Sequence, residues 1–332
     1  MRYREFGRTG WHVSEIGFGA ARIGGLLAQD GGRAEAIRTL ETARDAGINF
    51  FDTADIYGQG ESEILIGKAF RKGRDKVFIA SKGGYCLPTR GRLVQFVKPL
   101  VKPLVRTLGL RRQSLPSGLT AAPTQDFSPV HIRKAVEHSL RRLRSDYIDL
   151  YQLHSPPPAE MRLARFSDTV GELERMKREG KIREFGLALD SAEHVRYGLA
   201  FTSFASMQLP FGLLDLEALD GVLQSLTMHQ MGIIARGCFG GGALKDTLPE
   251  SDLRQSEPKW ERVLALKRIF ARHNRPALEM ALQFALRARD VSVNIIGMRT
   301  TGQLESNLQY YASAPLSEDE YRELLTHAAQ SR

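Results

Sequence analysis

What this chain has little of narrows it first. Among 332 residues there are two cysteines, Cys86 and Cys238, far apart and in neither a CxxC pair nor a metal-ligand spacing. A disulfide framework and a zinc ribbon are therefore excluded, no metal is expected, and reduced thiols in a cytoplasmic compartment are the simplest reading. The opening residues, Met1-Arg2-Tyr3-Arg4-Glu5, carry no apolar signal-peptide region. No stretch approaches the roughly 20 uncharged apolar residues that a membrane span needs. No GxGxxG follows a first strand, which removes a Rossmann nucleotide site, and no P-loop or Ser-His-Asp pattern stands in its place.

Acidic residues are missing from one long stretch. Residues 76–125 hold nine Lys or Arg and no Asp or Glu, equal to the whole formal net charge of +9. Such a cluster fits nucleic acid, anionic lipid or a phosphorylated ligand. No nucleic-acid motif or aromatic interleaving accompanies it, so a nucleic-acid partner is not expected. Within it, 93–106 alternates apolar clusters with single cations between Pro88, Pro99, Pro103, Pro116 and Pro123. That reads as a substrate-side flap over a scaffold, with contact to an anionic membrane surface as the sharper alternative. No motif speaks to oligomeric state.

What is present is a rhythm of short apolar runs that stop at an ionisable residue. Phe50-Phe51 ends in Asp52, Val77 to Ser81 in Lys82, and Ile148 to Leu153 in His154, while Tyr57 follows Asp52 in a turn closed by Gly58. Parallel neighbouring strands would bring all four to one rim, the place where a parallel barrel carries its chemistry. An isolated phenol is a poor acid at neutral pH, with a pKa of about 10. A neighbouring ammonium stabilises its phenolate, and a carboxylate fixes the ammonium. Such a group suits protonation of an oxyanion forming on a carbonyl.

The motifs Asp52-Thr53-Ala54-Asp55-Ile56-Tyr57-Gly58, Ser81-Lys82 and Asp149-Leu150-Tyr151-Gln152-Leu153-His154 resemble those of the aldo-keto reductases. The likeness runs from Gly17-Phe18-Gly19 to the Asn307 region, apart from the insertion. It implies an eight-stranded (β/α)8 TIM barrel that binds NADPH or NADP+ without a Rossmann domain, with Tyr57, Lys82, Asp52 and His154 catalytic and a small carbonyl compound as substrate. It also places the adenosine 2′-phosphate at Gly297, Arg299 and Thr300, with Gln303 and Asn307 toward the adenine. Ser306 stands where the family often has an acid. The family's Gly-x-Ser-Asn reads here as Gly186-Leu187-Ala188-Leu189, so two usual partners of the nicotinamide carboxamide are absent. Gln208 matches as a remaining partner, and Arg236 replaces an aromatic ring that would stack on the nicotinamide. The alternative is an NADP(H)-binding sensor or scaffold, as in the potassium-channel beta subunits that resemble this family, with incidental reductase activity.

In chain order, a hairpin over 2–6 and 11–13 precedes strands expected at 14–19, 49–52, 77–82, 148–154, 183–189, 205–210, 232–235 and 292–297. Helices alternate with them at 33–46, 61–71, 128–143, 167–181, 191–200, 219–229, 261–270, 277–287 and 302–311. The whole chain reads as one domain, with 85–127 a basic, proline-rich insertion after the third strand and 315–332 a terminal helix. The histidines other than His154 read as surface or cap residues.

Overall fold

A computed structural model describes residues 1–24, 32–86, 124–249, 251, 253–254 and 259–330. The segment 93–106 and most of 85–127 lie outside them. The chain opens with an antiparallel hairpin of β1 (Tyr3–Glu5) and β2 (His12–Ser14). It continues through β3 (Ile16–Gly19), α1 (Gly32–Asp45), β4 (Phe50–Asp52), α2 (Glu61–Ala69) and β5 (Phe78–Gly83). A small second hairpin of β6 (Tyr85–Cys86) and β7 (Thr124–Gln125) leads to α3 (Pro129–Leu143), β8 (Ile148–His154), the single turn α4 (Pro158–Met161) and α5 (Ala164–Arg178). Then come β9 (Ile182–Ala188), α6 (Val195–Gly198), β10 (Ser206–Pro210), α7 (Val222–Met228) and β11 (Gly232–Arg236). The chain ends with α8 (Trp260–Arg272), α9 (Ala277–Arg287), β12 (Val293–Gly297), α10 (Thr301–Ala312) and α11 (Glu318–Gln330).

Strands β3, β4, β5, β8, β9, β10, β11 and β12 close into a barrel, and every adjacent pair is parallel. The expected (β/α)8 barrel with an N-terminal hairpin is thus the observed architecture. Its inner face begins with Phe50, Ala80, Leu150, Ile234, Val293 and Ile295, which pack with Phe6, Trp11 and Val13 of the N-terminal hairpin. Trp11 lies against Phe78 (ring centroids 5.0 Å apart), and Phe6 against Phe50 (5.6 Å). The hairpin therefore plugs the end where the strands start, and the opposite end is left for chemistry.

Side chains alternate across a strand with period two. Counting by twos from the inner apolar residues gives Asp52 from Phe50, Lys82 from Ala80, Gln152 and His154 from Leu150, and Arg236 from Ile234. The polar residues at the open end are thus the continuation of the interior column, which explains why each run switches from apolar to ionisable at its carboxyl end.

Two details differ from the sequence reading. Ser14 closes the N-terminal hairpin instead of opening the first barrel strand. The helix expected over 191–200 is a 3-10 turn followed by the single turn α6, because Gly198 brings that segment onto the sheet. A Cβ there would lie 2.6 Å from Leu187 and 2.8 Å from Met207. The expected start of α3 is realised, with Ser128 Oγ accepting from His131 N and Pro129 in the first turn. No helix among the described residues is long and apolar enough to cross a membrane.

Candidate active site

The open end gathers Asp52, Lys82, Tyr57 and His154. Lys82 Nζ, fully buried, donates to Asp52 Oδ2 at 2.7 Å and to the Thr53 carbonyl at 2.9 Å, and it stands over the Tyr57 ring, 5.1 Å from the centroid. Burial works against its charge, but Asp52 and then Tyr57 outweigh it and hold the Lys82 pKa above its ordinary value. The amine is therefore a fixed ammonium. Asp52 is held from its other side by Gln208, whose Nε2 donates to Oδ1 at 2.9 Å.

Tyr57 is presented by a tight turn. Its backbone N–H donates to Ala54 O, and the following Gly58, Gln59 and Gly60 all have positive φ, a conformation that folds the loop back over the barrel mouth. The Tyr57 ring stands edge-on to His154 with centroids 5.9 Å apart, and Tyr85 of β6 meets the same imidazole from another side at 4.9 Å. Burial first, then the charges of Lys82 and Arg236, push the His154 pKa down to about 3. The ring is neutral at any physiological pH. Its Nδ1 is buried without a hydrogen-bond partner among the described residues, as are both amide atoms of Gln152.

Sequence reasoning singled out the four ionisable residues but gave no role to Gln152, although the two-residue offset from His154 places it on the same inner column. A second carboxyl, Asp55, is pushed up to about 7, by burial first and the charge of Glu63 second, against Arg142, the Ile56 N–H and Lys82. On the outer face, Ser81 donates to Glu63 at 2.6 Å, and Glu63 also takes Arg142 of α3 at 2.5 Å. These bonds lock the strand that carries Lys82 to its neighbouring helices.

The sequence matches the model of the Aldo/keto reductase family over residues 15–329. The chain belongs to that family. Aldo-keto reductase YhdN of Bacillus subtilis (strain 168) is 28% identical, over 92% of this chain and 87% of its own. D-threo-aldose 1-dehydrogenase of a Pseudomonas species is 28% identical, over 92% and 91%. Among solved structures, the holo form of aldo-keto reductase AKR11C1 from Bacillus halodurans superposes with a TM-score of 0.77 at 26% identity, covering 98% of this chain and 96% of that one. Glycerol dehydrogenase AKR11B4 from Gluconobacter oxydans gives 0.72 at 26%, covering 97% and 93%. This aldo-keto reductase is an oxidoreductase of carbonyl compounds, in a family that generally uses a nicotinamide dinucleotide.

The residues that the sequence reading assigned to that nucleotide occupy the β10, β11 and β12 side of the mouth. Gly297 ends β12, and a Cβ on it would meet nothing within 4 Å, so backbone faces open space there. Thr300 caps α10 by accepting from Gln303 N, and Gln303 Oε1 accepts in return from Arg299 N at 2.9 Å. Asn307 is buried one turn further on. A helix start with an adjacent arginine is a donor set that suits an anionic group.

The same geometry also shows what composition could not. Thr301 N and Oγ1 already donate to the Glu35 carboxylate of α1, at 2.9 and 2.8 Å. At the β10 and β11 ends, Gln208 Nε2 is spent on Asp52, and Arg236 donates to Leu189 O and Asp190 Oδ1, both at 3.1 Å. Asp190 in turn accepts from Ser155 Oγ at 2.7 Å. Arg236 thus ties the end of β11 to the residues that follow β9.

Proposed function

We propose that this aldo-keto reductase reduces an aldehyde or ketone to an alcohol with NADPH, in a cytoplasmic compartment. The observation that carries the reading is the placing of Lys82, which is bonded to Asp52 and the Thr53 carbonyl and stands over the Tyr57 ring beside an imidazole that stays neutral. Tyr57 donates its phenolic proton to the carbonyl oxygen as charge develops there. The Lys82 ammonium stabilises the phenolate left behind, and Asp52, itself held by Gln208, keeps that ammonium in place. Neutral His154 orients the carbonyl oxygen without competing as an acid. The hydride would come from a reduced nicotinamide, with Gln208 and Arg236 as the residues to hold its ring. Gln208 keeps its amide oxygen for the carboxamide, and Arg236 offers a guanidinium plane to the ring. Gly297, Arg299, Thr300, Gln303 and Asn307 would hold the adenosine end.

Two relatives are named for a sugar and a polyol. Hydroxylated aldehydes and ketones are therefore the first substrates to test. The experiment is a panel of such carbonyls at saturating NADPH, followed by loss of absorbance of the reduced nucleotide. Turnover on at least one class supports the reading. Tight NADPH binding with negligible turnover on every carbonyl would favour a nucleotide-sensing scaffold, a reading supported by the prior engagement of Gln208 and Arg236 by Asp52 and Asp190.

A further inference from the structure

Beside the mouth, but outside the reacting group, three side chains of different chemistry converge. Cys86 Sγ lies 3.7 Å from His131 Nε2 and 3.8 Å from Nδ1, Asp126 Oδ2 lies 3.9 Å from His131 Nδ1, and one ligand atom from each residue falls within 4.8 Å of the other two. Bonds of about 2.0–2.3 Å in a tetrahedral zinc site separate neighbouring ligand atoms by roughly 3.3–3.8 Å; the two spacings to His131 Nδ1 are near that range, and side-chain rotation about the imidazole and the thiol would bring all three onto one ion. A thiolate, an imidazole and a carboxylate together match a borderline cation such as Zn2+ better than Mg2+ or Ca2+, which prefer oxygen alone.

The fold holds these groups in place. Cys86 is fixed by β6 pairing with β7, Cys86 opposite Thr124. Asp126 N donates to Gly84 O, and Asp126 Oδ1 accepts from Ser128 N at 2.8 Å, which leaves Oδ2 as the oxygen facing His131. The backbone N–H of His131 is the donor to the Ser128 cap, so its imidazole is set by the first turn of α3. Hydrogen bonds that orient the ligands of a site are what tune it for a metal. The Asp126 side chain is 46% exposed and that of His131 20%, so an ion can reach them from solvent.

We propose that Cys86, Asp126 and His131 form a three-ligand site for a divalent cation of the zinc class, with a fourth position open to water. An ion bound there pins the β6–β7 hairpin to the start of α3. That fixes Tyr85, the neighbour of Cys86, against His154. The sequence offered no metal spacing because these ligands sit on separate elements and meet only through the fold.

The test exploits the scarcity of thiols. Cys238 is buried, and burial pushes its pKa up to about 12, so a thiolate ligand can come only from Cys86. Reduced, metal-stripped, untagged full-length protein is titrated with Co2+, then with Zn2+. The expected result is saturation at one ion per chain, with a near-ultraviolet thiolate-to-cobalt band that Zn2+ displaces. Cys86→Ser should lose the band, and His131→Gln and Asp126→Asn should each weaken binding by about tenfold or more. Zn2+ should raise the thermal midpoint of the native chain and not that of C86S. No saturable binding, or a cobalt spectrum and midpoint shift that C86S leaves unchanged, would overturn the proposal. Far-ultraviolet circular dichroism of each variant separates lost ligation from lost folding.

Discussion

At the scale of single residues, the reacting group is held by a buried charge pair. Lys82 and Asp52 are almost wholly removed from water, so their attraction is offset by desolvation, but losing one partner strands the other. Lys82→Met should lower unfolding free energy by about 3–5 kcal/mol, read from urea denaturation, as well as abolish turnover. A loss under about 1 kcal/mol would mean that Gln208 alone satisfies Asp52. Two further groups respond to pH in opposite directions. His154 has its folded pKa depressed to about 3 from 6.5, so folding excludes a proton, and stability is lost as pH falls from about 6.5 toward 3. Asp55 has its folded pKa raised to about 7 from 3.8, so stability is lost as pH rises from about 4 to 7. Their slopes oppose each other over most of the same window. Thermal midpoints against pH should therefore vary little from these two sites in the native chain. Asp55→Asn should expose a fall on acidification, and His154→Gln a fall on raising pH; parallel curves in both variants would contradict the assignment.

At the scale of elements, the start of α10 is where a nucleotide phosphate, bound as proposed, would compete with a carboxylate. Glu35 already takes Thr301 N and Oγ1 at the helix terminus on which the adenosine phosphate is expected to bear. Removing that charge by Glu35→Gln should favour NADPH over NADH by about two- to fivefold in Kd, measured by quenching of protein fluorescence, given the size of charge effects at helix ends. An unchanged ratio would place the phosphate elsewhere. The strands and most helices were legible because period-two and helical apolar patterns are local properties of the chain. So were Asp52, Lys82 and His154, since each is the polar end of an apolar column, and Tyr57, which follows in a glycine turn. The hand of Gln208 on Asp52, the carboxylate of Glu35 on α10 and the tie from Arg236 to Asp190 were not. Each joins residues far apart in sequence, where spacing carries no information and only closure of the barrel brings them together.

At the scale of the whole molecule, the barrel separates stability from chemistry. One end is sealed by Phe6 and Trp11 of the N-terminal hairpin, and the other carries every ionisable residue of the reacting group. Trp11→Ala should cost about 3–5 kcal/mol of stability, read from denaturant titration, while leaving kcat below the unfolding transition within about twofold. A large fall in kcat of the folded variant would show that the two ends are coupled. In the proposed chemistry the Tyr57 phenol, beside the Lys82 ammonium, delivers the proton. Single-turnover reduction of a carbonyl by Tyr57→Phe with NADPH prebound measures that step most directly. The reduction rate should fall at least about 10²-fold with Kd for NADPH nearly unchanged; a rate within a few-fold of the native enzyme would contradict this role for Tyr57.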